Sequence, residues 1–273
     1  MTNTKPDFEL TNPYVLTIRI CMDNFVFAVY NQTNTPAFYC QQYPTNYQHS
    51  LAVNIKNILK NNIYVPAYFP TVNIIMSDVQ CMIVPNELFE EQKAEKIYWS
   101  CHNKKENSII LSHSLQKSNV TLLYAVDKTC HQLLLEYYPQ ANILPSEYPL
   151  IKYLTERSLI GEKNKMYVLM QKNAIEIYAF APDKFLLKNK FSNLKSSEDF
   201  IYFLLYTWKA LEFNQEKDEL YLIGNSFKYE NIVNTLQDFI KQVSIIHPAS
   251  EFNRADFTKE NIPFDLQTSF IIL

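Results

Sequence analysis

Glycine occurs at only two positions in this 273-residue chain, Gly161 and Gly224, where average usage of about 7% would give roughly 19. Glycine supplies backbone at positive φ and lets main-chain N–H groups approach an anion with no Cβ in the way. A chain so short of it is a poor material for glycine-rich nucleotide loops, and every functional reading starts from that deficit.

The length suffices for one large domain or two ordinary ones with a sizeable core, so disulfides are not needed for stability. The five cysteines, Cys21, Cys40, Cys81, Cys101 and Cys130, are scattered and odd in number, with no close-spaced pair of the zinc or redox kind. They point to a reducing, cytoplasmic setting. Met1 to Thr11 carries Asp7 and Glu9 rather than a basic end and an apolar run, which argues against a signal peptide. Apolar runs such as Val120 to Val126 fall far short of the roughly 20 residues of a transmembrane segment. A net charge of −3 with dispersed lysines makes no stripe for successive phosphates, which argues against nucleic acid as a partner. The 19 tyrosines and 18 phenylalanines accompany abundant Asn, Lys and Ile, a mixture that an AT-rich genome produces without any stacking role.

Patterning predicts an α/β protein in which one unit occurs twice. Tyr14 to Met22 alternates with period two, Asp23-Asn24 makes a turn, and Phe25 to Tyr30 and Ala37 to Gln42 complete an antiparallel meander. Leu51, Ile55, Ile58 and Leu59 recur at helical spacing until Asn61-Asn62, and Thr71 to Met76 reads as the next strand. Downstream, Met166 to Met170, Ile175 to Ala181 and Phe185 to Phe191 form a second meander. A helix capped by Ser196 follows to about Phe213, then a strand at Leu220 to Ile223, a helix from Tyr229 to Gln242 and a strand at Val243 to Ile246. Between the copies lie Cys81 to Val84, a helix from Asn86 to Lys96, strands near Ile109 to Leu111 and Val120 to Ala125, a helix from Asp127 to Tyr138, a strand at Asn142 to Leu144 and a crossing helix from Pro145 to Ser158. This βββαβαβ order predicts two tandem ribonuclease-H-like units with mixed five-stranded sheets. The first half would span 1–160 with an inserted segment around 80–120, and the second 161–273. Two such units in tandem make the actin-like ATPase architecture.

Three segments carry a resemblance beyond architecture: MSDVQCMIVPNELFEE (Met76 to Glu91), SNVTLLYAVDKTCHQLLLEYYPQANILP (Ser118 to Pro145), and FLLKNKFSNLKSSEDFIYFLLYTWKAL (Phe185 to Leu211) followed by LYLIGN. They are similar to a bacterial family of unknown function, a domain with an actin-like ATPase fold, over most of the chain. The resemblance implies the fold and brings no activity or catalytic residues with it.

The actin-like superfamily holds ATP with magnesium on two Asp-x-Gly hairpin turns and a glycine turn beneath the adenosine, where Cβ-free turns let N–H groups converge on phosphate. Here the first turn reads Met22-Asp23-Asn24-Phe25, which keeps an acid able to order a magnesium-bound water but has no glycine. The second reads Met170-Gln171-Lys172-Asn173, with neither acid nor glycine, although Lys172 could hold a phosphate as a point charge. The adenosine loop would fall at Ile223-Gly224-Asn225-Ser226. Cofactor-binding candidates are therefore Asp23, Asn24, Lys172 and Gly224, should ATP bind at all; the ordinary reading is two hairpin turns and a tight turn at Gly224.

No Walker loop, Gly-x-Ser-x-Gly elbow or His-Glu-x-x-His is present. The five histidines lack metal-helix spacing, and pairs such as Glu90-Glu91 and Asp218-Glu219 read as solvated helix ends or turns. A ribonuclease-H-like hydrolase would need several acids at strand ends, of which only Asp23 is evident. Ser197 to Phe213 is apolar on two faces and is expected to be buried within the chain or against a partner. Phe264 to Leu273 is expected to dock as a strand or helix, or to be captured by another protein. The functional expectation is a non-catalytic binding or scaffold module, a pseudo-ATPase with no cofactor and a protein partner. The alternative is a divergent ATP-binding protein.

Overall fold

A computed structural model describes residues 14–31, 37–60, 69–224, 230–253, 255–258 and 262–273. They divide into two compact units. One holds the described residues up to Ser114, Thr121–Pro149 and Thr268–Leu273; the other holds Leu115–Val120 and Leu150–Gln267. The division thus falls at the start of the predicted crossing helix, and the C-terminal residues return to the first unit.

The first unit begins with strands Val15–Ile20 (β1), Asn24–Asn31 (β2) and Ala37–Pro44 (β3), helix Leu51–Lys60 (α1) and strand Thr71–Met76 (β4). Cys81–Pro85 (β5), helix Ala94–Cys101 (α2), Ser108–Leu115 (β6), Val120–Asp127 (β7), helix Lys128–Tyr137 (α3) and Asn142–Pro145 (β8) follow. Five strands form a mixed sheet in the order β3-β2-β1-β4-β8, and the insertion forms a second sheet, β5-β7-β6. β1 is antiparallel to β2 and parallel to β4. As a central strand it alternates, with Leu16, Ile18 and Ile20 buried in the apolar core and Val15, Thr17 and Arg19 on the opposite face. Ile55 and Leu59 of α1 and Leu134 of α3 join Leu16, Ile18, Phe27 and Ile74 in one core. Asp127 starts α3 by accepting from the Cys130 N–H at 2.9 Å, a cap contributing about 1 kcal/mol.

The second unit contains most of helix Glu147–Ser158 (α4), then Lys165–Met170 (β9), Ala174–Ala181 (β10), Lys184–Ser192 (β11), helix Ser197–Ala210 (α5), Glu219–Ile223 (β12), helix Glu230–Gln237 (α6) and Gln242–Ile246 (β13). Two further helices are Pro248–Glu251 (α7) and Phe264–Ile272 (α8). The sheet order is β11-β10-β9-β12-β13, with β12 parallel to β9 and to β13. The two five-stranded sheets therefore follow one scheme, a meander with two crossover strands added beside its first strand, which is the actin-like arrangement read from the sequence. Phe200, Leu204 and Trp208 of α5 and Ile232 and Leu236 of α6 pack on Val168, Ile177 and Leu222; each such large side chain contributes about 2 kcal/mol by burial. The Ser196 and Asp199 capping box starts α5.

Several boundaries depart from the sequence reading. The helix expected over Asn86 to Lys96 is two short 3-10 turns, Asn86–Leu88 and Glu91–Lys93, with α2 beginning only at Ala94. Phe89 and Glu90 are extended between them, and Phe89 packs against the Val84, Tyr98 and Leu123 cluster; this tertiary contact overrides helical propensity. The helix expected to reach Gln242 ends at Gln237, because Phe239 and Ile240 turn back onto the Leu236 carbonyl and Ile240 is wholly buried. The insertion's sheet takes in β7 and so reaches Asp127. On α5 both apolar stripes meet the core, Phe200, Leu204 and Trp208 within it and Ile201, Phe203, Leu205 and Leu211 packed against it, while Tyr202 and Tyr206 are exposed. The C-terminal segment docks as α8, its Phe270 ring 5.6 Å from Tyr30 and 5.5 Å from Phe38. Met1 to Thr11, the Asn61-Asn62 stop, and Asn225 and Ser226 lie outside the described residues. Among the described residues no helix is long and apolar enough to cross a membrane.

The glycine deficit has a structural counterpart. Asn107, Asn119, Asn193 and Asn253 have φ between 52° and 62°, and Glu212 has φ 55°, so asparagine takes the left-handed turn positions that glycine usually fills. Asparagine makes such a turn but keeps its Cβ.

Candidate functional site

The carboxyl ends of β1 and β4 lie side by side, Ile20 pairing with Met76. Beyond them the Cys21 N–H donates to the Asn24 carbonyl at 3.0 Å and closes the β1–β2 turn, and the Ser77 N–H donates to the Ile20 carbonyl at 3.0 Å. The Met22 N–H then donates to Asp78 Oδ2 at 2.5 Å. The Tyr47 hydroxyl donates to Asp23 Oδ1 at 3.0 Å. Tyr47 is held in place by Asn54, which is buried at the start of α1. Its Oδ1 accepts the Asn46 N–H, and its Nδ2 donates to the Asn46, His49 and Ser50 carbonyls at 3.0–3.2 Å.

A cavity of about 470 Å³ opens at this edge, entirely within the first unit. Cys21, Tyr47, Asp78, Tyr98, Trp99 and Asp127 are among the residues that line it. In open α/β sheets, ligands bind outside the carboxyl ends of strands, and this cavity occupies that place.

The chemistry here favours binding over covalent catalysis. Burial, with Asp78 beside it, raises the Cys21 thiol above its ordinary value, and burial with Asp127 pushes Cys130 up to about 12; both remain thiols and weak nucleophiles near neutral pH. Hydrogen bonding to Asp23 raises the exposed Tyr47 phenol. Among the described residues no group of three His, Cys, Asp or Glu is placed to hold a metal ion.

Of the sequence candidates, Asp23 and Asn24 share the β1–β2 turn. Lys172 is exposed in the β9–β10 turn, whose Gln171 N–H closes onto the Ala174 carbonyl at 2.9 Å. Gly224 follows β12, and since Ile223 pairs with Leu169 it shares the carboxyl edge of the second sheet with Lys172. Its φ of 151° suits a residue without Cβ. The expectation that Asp23 stands alone at a strand end is corrected: Asp78 follows β4 directly, and the β1–β4 pairing brings it to the same edge. Its sequence signal was an acid two residues after an apolar strand, which becomes legible only once β4 is placed next to β1.

A family model described as "Protein of unknown function (DUF3822)" matches residues 3–243. The chain belongs to this family. A solved structure from Bacteroides thetaiotaomicron, described as a protein with actin-like ATPase fold and unknown function, is 36% identical to this DUF3822 member, with a TM-score of 0.80 over 97% of this chain and 98% of that one. The PilM-PilN type IV pilus biogenesis complex shares the fold at 12% identity and a TM-score of 0.53, over 94% of this chain and 97% of that one. None of the curated proteins matches.

Proposed function

We propose that this DUF3822 chain is a non-catalytic binding or scaffold protein that has lost the ATPase loops of its fold and works in the cytoplasm through a protein partner. The observation that carries this reading is the Met22 N–H to Asp78 bond. A phosphate-binding turn must aim its N–H groups at the anion, yet here a carboxylate already accepts from the turn. A phosphate brought to that N–H would meet Asp78 and Asp23, each like charge at about 4 Å costing about 1 kcal/mol in water and about 4 at an effective dielectric of about 20. Asn24 keeps a Cβ where a glycine would let the anion close in. The second turn has no acid, and its Gln171 side chain donates to Glu176. Cys21, Cys101 and Cys130 are free thiols, which suits a reducing compartment, and a net charge of −3 disfavours nucleic acid. The PilM-PilN complex, which shares the fold, supports a protein partner by analogy of fold.

A second reading, ATP with magnesium on Asp23, Asn24, Lys172 and Gly224, is favoured by the positive φ of Gly224. Thermal melting with and without magnesium ATP separates the two. Millimolar ATP bound with micromolar affinity would stabilise the protein by about 4 kcal/mol and raise Tm by roughly 8 °C or more; the expected shift is nil. A rise of that size, abolished in Asp23→Ala, would establish the ATP reading instead.

A further inference from the structure

We infer that Tyr153, Arg157 and the ring of Tyr221 form a recognition site for the carboxylate of an acidic, aromatic-flanked segment of a protein partner, and that this chain's own Glu251 occupies the site as a stand-in. The inference rests on the partner-binding reading above and names what such a partner presents. Tyr153 and Arg157 lie one turn apart on the same face of α4. Both donate to Glu251 Oε1, Tyr153 through its hydroxyl and Arg157 through Nη1. The guanidinium carbon lies 5.2 Å from the centroid of the Tyr221 ring, a cation–π contact. A guanidinium grips a carboxylate best through two parallel N–H groups. Arg157 gives Glu251 only Nη1, and its Nε is buried with no hydrogen-bond partner among the described residues, so the occupant leaves part of the fork's capacity unused. Glu251 sits on α7, a helix of four residues whose His247 N-cap makes no side-chain bond; a helix so short has no stability of its own. It is fastened by this carboxylate and by the next side chain, Phe252, whose ring centroid is 5.5 Å from that of Tyr153 and 5.8 Å from those of Phe257 and Phe264. The adjacent Glu251 and Phe252 therefore define the chemistry that the site accepts. All of these residues belong to the second unit.

The probe is the peptide His-Pro-Ala-Ser-Glu-Phe-Asn, the sequence of residues 247–253, labelled with fluorescein and titrated by anisotropy into the full-length chain. A tethered ligand competes at millimolar effective concentration. The unaltered chain should therefore bind the peptide weakly, and Glu251→Ala, which vacates the site, at least about tenfold more tightly. In the Glu251→Ala background Arg157→Gln should abolish binding. Replacing the peptide's glutamate by glutamine should weaken it about tenfold, the loss of a charge-assisted hydrogen bond. Equal binding by the unaltered and Glu251→Ala chains, no saturable binding by Glu251→Ala at millimolar peptide, or equal binding of the two peptides overturns the inference. Should Glu251→Ala disturb folding, amide exchange in the unaltered chain decides: millimolar peptide is expected to speed exchange at residues 249–252, and unchanged exchange overturns the inference. Failure here removes only the acidic-segment site, whereas a magnesium ATP shift in thermal melting would remove the non-catalytic reading on which it rests.

Discussion

At the carboxyl edge of the first sheet, acids meet a main-chain and a side-chain donor beside a cavity: the Met22 N–H with Asp78, and the Tyr47 hydroxyl with Asp23. At the same edge of the second sheet the β9–β10 turn is closed by one backbone bond, and the polar anchoring has moved to the amino edge. There Asp218, 6% exposed, accepts from the Asn164 N–H, Asn164 Nδ2 and the Asn214 N–H at 3.0, 3.1 and 2.7 Å. Lys163 pairs with Glu219 at 2.9 Å beside it. Ligand sites in open α/β sheets lie at the carboxyl edge, so one strand order carries two arrangements: the first unit sets acids at the edge where such sites lie, and the second gathers polar groups at the opposite edge.

The contrast is sharpest at Asp218. Asp218→Ala removes the buried carboxylate that accepts three charge-assisted, part-buried bonds and is expected to destabilise the protein by about 3 kcal/mol, lowering Tm by roughly 6–12 °C. A melting temperature within about 2 °C of the parent would break the comparison, because the amino edge would then not be a staple.

Alkaline titration tests the second unit's interior with a smaller effect. Burial pushes the Tyr167 phenol up to about 12, although Ser158 and Arg157 oppose the rise, and it also raises Tyr153 and Tyr221. A folded pKa above the unfolded value of about 10 means that the stabilisation is complete below pH about 10 and is lost as pH rises through about 12. Stability measured by denaturant titration should therefore fall steeply over that window, by on the order of 2 kcal/mol for Tyr167 alone, and Tyr167→Phe should flatten the slope. An unchanged slope would show that this phenol ionises freely in the folded protein.

The fold was legible where burial alone decides local structure. Thr71 to Met76 reads as a strand because it is short and largely apolar, as suits a parallel strand buried from Val72 to Met76, and the Ser196 cap announces α5 from its own first turn. It was illegible where a distant contact outweighs propensity, as at Phe89 and Ile240. The same holds for the candidate site. Asp23 shows itself as the acid of a hairpin, whereas Asp78 meets that hairpin across 56 residues of sequence, and Tyr47 depends on a side-chain network centred on Asn54. The glycine count said little about turns, since Asn107, Asn119, Asn193 and Asn253 adopt the conformations glycine would have supplied.

The smallest expected effect is the most telling. Asp78, like Asp218, accepts a main-chain N–H, but Asp78 and Met22 are exposed, so water can replace the carboxylate when it is removed. Asp78→Ala should therefore cost roughly 0.5 kcal/mol or less, the range of surface substitutions, and move Tm by no more than about 2 °C. An acid that lines the cavity and contributes so little to stability is not a structural tie. Were Asp78→Ala to melt as early as Asp218→Ala, the carboxylate would instead be a structural tie of the β1–β2 turn, and the first unit would differ from the second only in which edge it fastens.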